Sequence, residues 1–199
     1  SIKKLHRHIL LSATYQQVSS DRTDYLRVDP VNMLLWKMKR QRLAFETLRD
    51  GILRASGQLD LTLGGRPVNI AKHPTTPRRT LYGFIDRQNL PALFRTFDFA
   101  NPDTLTGTRD ETTVPAQSLF LMNGAWIIEQ SRHLARRLLS EGDDDVARMR
   151  RLYELAYSRP STAREVERGM QFIDSGDRAK QWAKLCQVVL ASSEFRYLR

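Results

Sequence analysis

Cysteine is nearly absent from this 199-residue chain, and the single one, Cys186, excludes several chemistries at once. No internal disulfide can form, and neither a multi-thiolate zinc cluster nor a CxxCH haem attachment is possible within the chain. Cys186 sits in the apolar run Leu185-Cys186-Gln187-Val188-Val189-Leu190, which reads as a small buried hydrophobe rather than a reactive thiol. Long apolar runs are also missing. Nothing approaches the roughly 20 residues that a bilayer-crossing helix needs. Histidine is sparse, with four in all: His6, His8, His73 and His133. His6 and His8 diverge on a helix, and His133 lies beside Arg132 and Arg136, so no metal site is expected of them. The motifs GxSxG, GxGxxG, HExxH and the Walker loop are absent as well. No initiating Met and no export signal precede the first periodic segment, which leads us to expect a piece of a longer protein.

What the chain does have is an ordinary globular composition, 41% hydrophobic and 27% charged, which argues against global disorder. Its net charge of +10 is uneven, with excesses of +6 in residues 1–54, +1 in 55–126 and +3 in 127–199. The densest basic cluster is Lys37, Lys39, Arg40 and Arg42, readable as a solvated face or as a polyanion-binding patch. No aromatic ladder interleaves with it, so nucleic acid is not the expected partner.

Periodicity predicts a mainly α fold, an irregular multi-helix domain with a small β-hairpin element in its middle. We read one domain over 1–199, with substructure at 1–60 (helical), 61–111 (loop and β insert) and 112–199 (helical). Leu5, Ile9 and Leu10 mark a first short helix. Asp29-Pro30 suits the start of another running through Leu35 and Trp36. A longer helix through Leu43, Leu48 and Ile52 stops near Gly57. Val68–Ile70 and Thr80–Ile85 read as a short strand pair. Phe94, Phe97 and Phe99 predict a loop pinned onto the core. Thr113 is expected to cap a helix starting near Pro115, and Asp143, Asp144 and Asp145 to favour the start of a later one through its dipole. Thr162-Ala163-Arg164-Glu165 is a capping box.

One segment concentrates polar groups among large apolar ones. Residues 85–103 place Asp86, Arg87, Asn89, Arg95, Asp98, Asn101 and Asp103 between Ile85, Leu90, Phe94, Phe97 and Phe99. Polar groups in such company either satisfy one another or face a ligand. The structural reading is an Asp–Arg network, with Asp86 paired to Arg87 or Arg95. The functional readings are oxygen ligation of a hard cation by Asp98, Asn101 and Asp103, or a paired-carboxylate hydrolase site using Asp98 and Asp103.

Six stretches taken together carry a family resemblance: Leu5 to Ser19, Asp29 to Leu35, Ile85 to Asp103, Thr112 to Asn123, Leu152 to Glu165, and Leu185 to Leu198. They resemble the planctomycete-type C-terminal domain of unknown function found in exported proteins, often beside a cytochrome-c-like domain. The segments IDRQNLPALFRTFDFANPD and TTVPAQSLFLMN are the most specific. The resemblance implies an exported, periplasmic or cell-surface parent and upstream domains of the same polypeptide as partners. It supplies no catalytic residue, because the family has no assigned mechanism, and no cofactor, because the haem motif of the relatives is not in this chain. From the sequence we therefore expect a noncatalytic interaction or structural module, with a glycan-directed hydrolase and a polyanion-binding module as alternatives.

Overall fold

The computed structural model describes residues 1–142 and 144–198. The chain is mainly α-helical and divides into two compact units at the Arg42–Leu43 boundary, with the C-terminal strand returning to the first unit.

The first unit holds α1 (Ile2–Leu10), α2 (Thr23–Val28) and β1 (Gln41–Arg42), which pairs antiparallel with β2 (Tyr197–Leu198), Gln41 opposite Leu198. The only two-stranded sheet among the described residues therefore joins distant parts of the chain rather than forming a hairpin in its middle. In α1, Ile2, Leu5 and Ile9 share one helical face with Leu10, yet no residue of the helix is buried. The expected helix from Asp29 to Trp36 does not form. Asn32 and Leu35 adopt positive φ (58° and 54°), which a right-handed helix cannot accommodate. Asp29 instead organises a turn, its carboxylate accepting from the backbone N–H of Met33 (2.9 Å) and Leu34 (2.7 Å). Trp36 donates back to the Asp29 carbonyl (2.9 Å) and stacks on Tyr25 at 5.6 Å.

The second unit is built on a continuous apolar core. Its helices are α3 (Phe45–Ala55), α4 (Ala92–Thr96), α5 (Pro115–Asn123), α6 (Ala125–Glu141), α7 (Asp145–Tyr157), α8 (Ala163–Ile173), α9 (Arg178–Ala191) and α10 (Ser193–Arg196). Ile127, Leu134 and Leu138 of α6 recur at helical spacing and are fully buried, as are Trp182, Cys186 and Leu190 of α9. Burial pushes the Cys186 thiol far above its ordinary range, so it stays a protonated, inert core group. Gly169 lets α8 lie against Met149 of α7, where a Cβ would collide with the methionine side chain.

Among the described residues, side chains cap three helix N-termini: Asp144 on α7, Thr162 on α8 and Asp177 on α9. Asp144 caps α7 by accepting from Val146 and Ala147. Asp145 is instead a nearly buried partner of Arg148 (2.6 Å) and Arg178 (2.6 Å), and Asp143 lies outside the described residues. The capping box at Thr162 and Glu165 is complete. Val114, not Thr113, occupies the N-cap of α5 and offers no side-chain acceptor there. The middle segment lacks the predicted strand pair. Val68 and Gly83 meet in a single parallel bridge, and Thr80–Tyr82 is a 3₁₀ turn. The cause is long-range: Asp50 of α3 accepts from both the N–H (2.8 Å) and the hydroxyl (2.6 Å) of Thr80.

Glu165 does double duty. It closes the capping box and also clamps Arg159, which grips Glu194 with its remaining donors. Hydrogen bonding by the Arg159 guanidinium holds the Glu165 carboxyl at about 2, below its ordinary 4.5. A carboxylate with a depressed native pKa contributes stability that is present above its unfolded pKa and lost as pH falls towards the native one. Thermal melting followed by circular dichroism should therefore show a Tm that falls between pH 5 and pH 2, and falls less steeply in Glu165→Gln. Equal slopes in the two proteins would refute this role.

Candidate functional site

The polar segment singled out above folds around α4. Pro91 opens that short helix, and Phe94 and Phe97, 1% and 3% exposed, anchor it to Phe45 of α3 at ring distances of 5.2 and 5.3 Å. Phe99 packs edge-on against Phe94 (5.2 Å), and Phe97 against Phe120 of α5 (5.6 Å). This aromatic knot fixes the backbone that carries the polar side chains.

Arg87, Arg95, Asp98, Asn101 and Asp103 then line one cavity of about 380 Å³, joined by Gln88, Leu90, Phe99 and Asp110. Asp86 and Asn89 are exposed and do not line it. Asp86 accepts from the N–H of Gln88 (3.0 Å) rather than from an arginine. Arg87 donates through Nε and Nη2 to the Pro102 carbonyl (3.1 and 2.9 Å). The Asp98 carboxylate accepts from the N–H (2.9 Å) and hydroxyl (2.7 Å) of Thr112, tying α4 to the approach of α5. Gln117 of α5 reinforces that tie by donating to the carbonyls of Thr96 (2.8 Å) and Thr112 (3.1 Å). Asn101 accepts from the Asp103 N–H (3.1 Å).

This bonding decides what the segment can do. Both oxygens of Asp98 and the amide oxygen of Asn101 already serve as acceptors within the chain, which fixes their positions. Among the described residues, no three His, Cys, Asp or Glu side chains are grouped to hold a metal ion. The side chains of Arg95, Asp103 and Asp110 make no hydrogen bond or ion pair among the described residues and are the groups free to meet a ligand. Asp110 entered the cavity unforeseen. Its neighbour Arg109 pairs with Glu46 of α3 (2.8 Å) and covers Phe99 (4.7 Å), which draws the 104–111 loop inward.

The basic cluster of the first unit is largely committed. Lys37 pairs with Asp21 and lies over the Trp36 ring (4.7 Å), and Arg40 donates to the Ser19 carbonyl (3.4 Å). The lysine holds the Asp21 carboxyl below the usual carboxylate range, through a direct hydrogen bond and its charge. Arg42 pairs in β1 with Tyr197, and Lys39 is exposed.

Asp98 carries a second load, because its φ of 56° lies in the left-handed region that Asp tolerates better than Ala. Asp98→Ala removes two charge-assisted bonds and adds backbone strain. It should cost about 2–3 kcal/mol in urea unfolding, whereas Asp98→Asn should cost less. No change for Asp98→Ala would mean the Thr112 tether is idle.

The PSD1 family, described as protein of unknown function (DUF1553), matches residues 1–173 of the chain. No curated protein and no solved structure matches it. The chain belongs to the PSD1 family.

Proposed function

We propose that this PSD1-family chain is a noncatalytic interaction module of a larger exported bacterial envelope protein, docking through residues 1–35 onto a neighbouring domain of the same polypeptide. The observation that carries the reading is the apolar surface of the first unit. Val28, Val31, Met33 and Leu34 are 77–80% exposed, and Ile2, Leu5, Ile9, Leu10 and Leu11 are exposed beside them in sequence. Scattered apolar residues on a surface need no explanation, but thirteen large ones exposed within residues 1–35 support reading this face as an interaction surface. Residues 1–20 contain Lys3, Lys4 and Arg7 and no acidic residue. The occupant that fits is an apolar patch with an acidic rim. The family resemblance supplies the kind of neighbour, an upstream domain of the parent, with a cytochrome-c-like domain among the candidates.

The contrast with the second unit supports a noncatalytic role. There the polar groups of residues 85–103 are mostly spent on contacts within the chain, and a glycan-directed hydrolase would have only Asp103 and Asp110 to draw on. Polyanion binding through Lys37, Lys39, Arg40 and Arg42 has less behind it, since Lys37 and Arg40 serve internal contacts.

Hydrogen exchange tests the docking directly. Amides of residues 3–11 and 31–35 should exchange at least tenfold more slowly in the parent polypeptide, with its neighbouring domains present, than in this chain alone. The double substitution Leu5→Glu and Ile9→Glu should remove that slowing and leave α6 and α9 unchanged. Equal exchange of residues 3–11 and 31–35 in the parent and in this chain would end the proposal.

A further inference from the structure

A second cleft, at the C-terminal end of α3, has a different character. It occupies about 760 Å³ between that end and the last turns of α6, within the ~300–1,000 Å³ span of small-ligand sites. Arg54, His133, Arg136, Arg137 and Ser140 line it, and among the described residues no carboxylate does. The surroundings of each cation can be traced.

Arg137 is the fixed member. Its Nη1 donates to the carbonyls of Arg54 (3.2 Å) and Ala55 (3.0 Å), and its Nε to Glu141 (2.6 Å). It thereby neutralises the negative end of α3, which would otherwise repel an anion at the mouth of the cleft. Gly57 follows with a φ of +76°, the left-handed conformation that glycine adopts without strain. His133 is oriented next. The Nη2 of Arg136 lies 3.3 Å from His133 Nδ1, and a guanidinium can only donate, so Nδ1 accepts and the ring proton sits on Nε2, towards Glu129 (4.0 Å). Arg54 makes no side-chain hydrogen bond or ion pair among the described residues, and Arg136 has no bond to an oxygen acceptor among them. Both guanidiniums therefore keep open forks on the same cleft.

We propose that this cleft binds a tetrahedral oxyanion ester, sulfate or phosphate, carried on a polar molecule of sugar size. Arg54 and Arg136 supply the planar donor pairs that match such oxygens, and Arg137, held by Glu141, covers the α3 carbonyls that would otherwise face the anion. Ser140, whose hydroxyl donates to the Arg137 carbonyl (2.8 Å), keeps its lone pairs towards solvent and accepts from a ligand hydroxyl. This inference is independent of the docking surface, since it uses only side chains of the second unit.

The test is isothermal titration of the full chain with glucose 6-sulfate, glucose 6-phosphate, inorganic sulfate and inorganic phosphate in low salt. The expected result is one-to-one binding of at least one sugar ester, tighter than the matching inorganic ion, and weakened as sodium chloride is raised. Preference for the sulfate or for the phosphate ester identifies the source of the anion. Arg54→Gln with Arg136→Gln should weaken binding at least tenfold, while Lys39→Gln leaves it unchanged. Both arginines are exposed, so an unchanged melting curve confirms that the variant is folded. Binding of no oxyanion, equal binding by the double variant, or no preference for an ester over its inorganic ion would overturn the proposal.

Discussion

The second unit depends on one buried cation. Arg49, 2% exposed on α3, sends its guanidinium into the irregular middle of the chain and donates to the carbonyls of Pro74 (3.3 Å), Thr76 (2.6 Å) and Arg78 (3.0 Å) and to the Thr80 hydroxyl (3.2 Å). Its neighbour Asp50 holds Thr80 from the other side, and its carboxylate stands 3.9 Å from Arg49. Burial pulls the Arg49 pKa down and the Asp50 charge opposes that, so the guanidinium is kept charged by a partner and by carbonyl dipoles. A segment with almost no secondary structure cannot satisfy its own carbonyls. One arginine does so for three of them.

That constraint propagates. With Thr80 fixed, Gly83 meets Val68, and Phe84 donates to the Val68 carbonyl (2.8 Å), so the chain enters residues 85–103 from a set direction. The aromatic knot of Phe45, Phe94, Phe97 and Phe99 then takes over, again from α3. The candidate cavity is thus bounded by a loop held at one end by charge and at the other by rings. The basic cleft uses the far end of the same helix, through the carbonyls that Arg137 caps.

Local signals were readable from the sequence and long-range ones were not. The buried stripes of α6 and α9 and the capping box of α8 depend on residues within one or two turns, and their spacing announces them. The seven polar residues around 85–103 stood out because they sit among rings, and five of them share one cavity. Asp86 falls outside it because its carboxylate turns back to accept from the Gln88 N–H, and Asn89 is exposed beside it. The strand expected at Thr80 became a turn because Asp50, 30 residues earlier, binds it. The helix expected after Asp29 became a turn because Asn32 satisfies Lys37 with both ends of its amide (3.2 and 2.8 Å), a pattern that composition does not reveal. Asp110 joined the cavity through the pairing of Arg109 with Glu46, 63 residues apart.

The most direct measurement is amide exchange in Arg49→Met, a substitution that keeps the apolar stem and removes every donor. The account predicts a loss of about 3 kcal/mol or more in unfolding free energy. It also predicts that protection at Val68, Tyr82, Gly83 and Phe84 collapses while α6 and α9 keep theirs. Protection retained at those four amides would contradict the claim that Arg49 organises the middle of the chain.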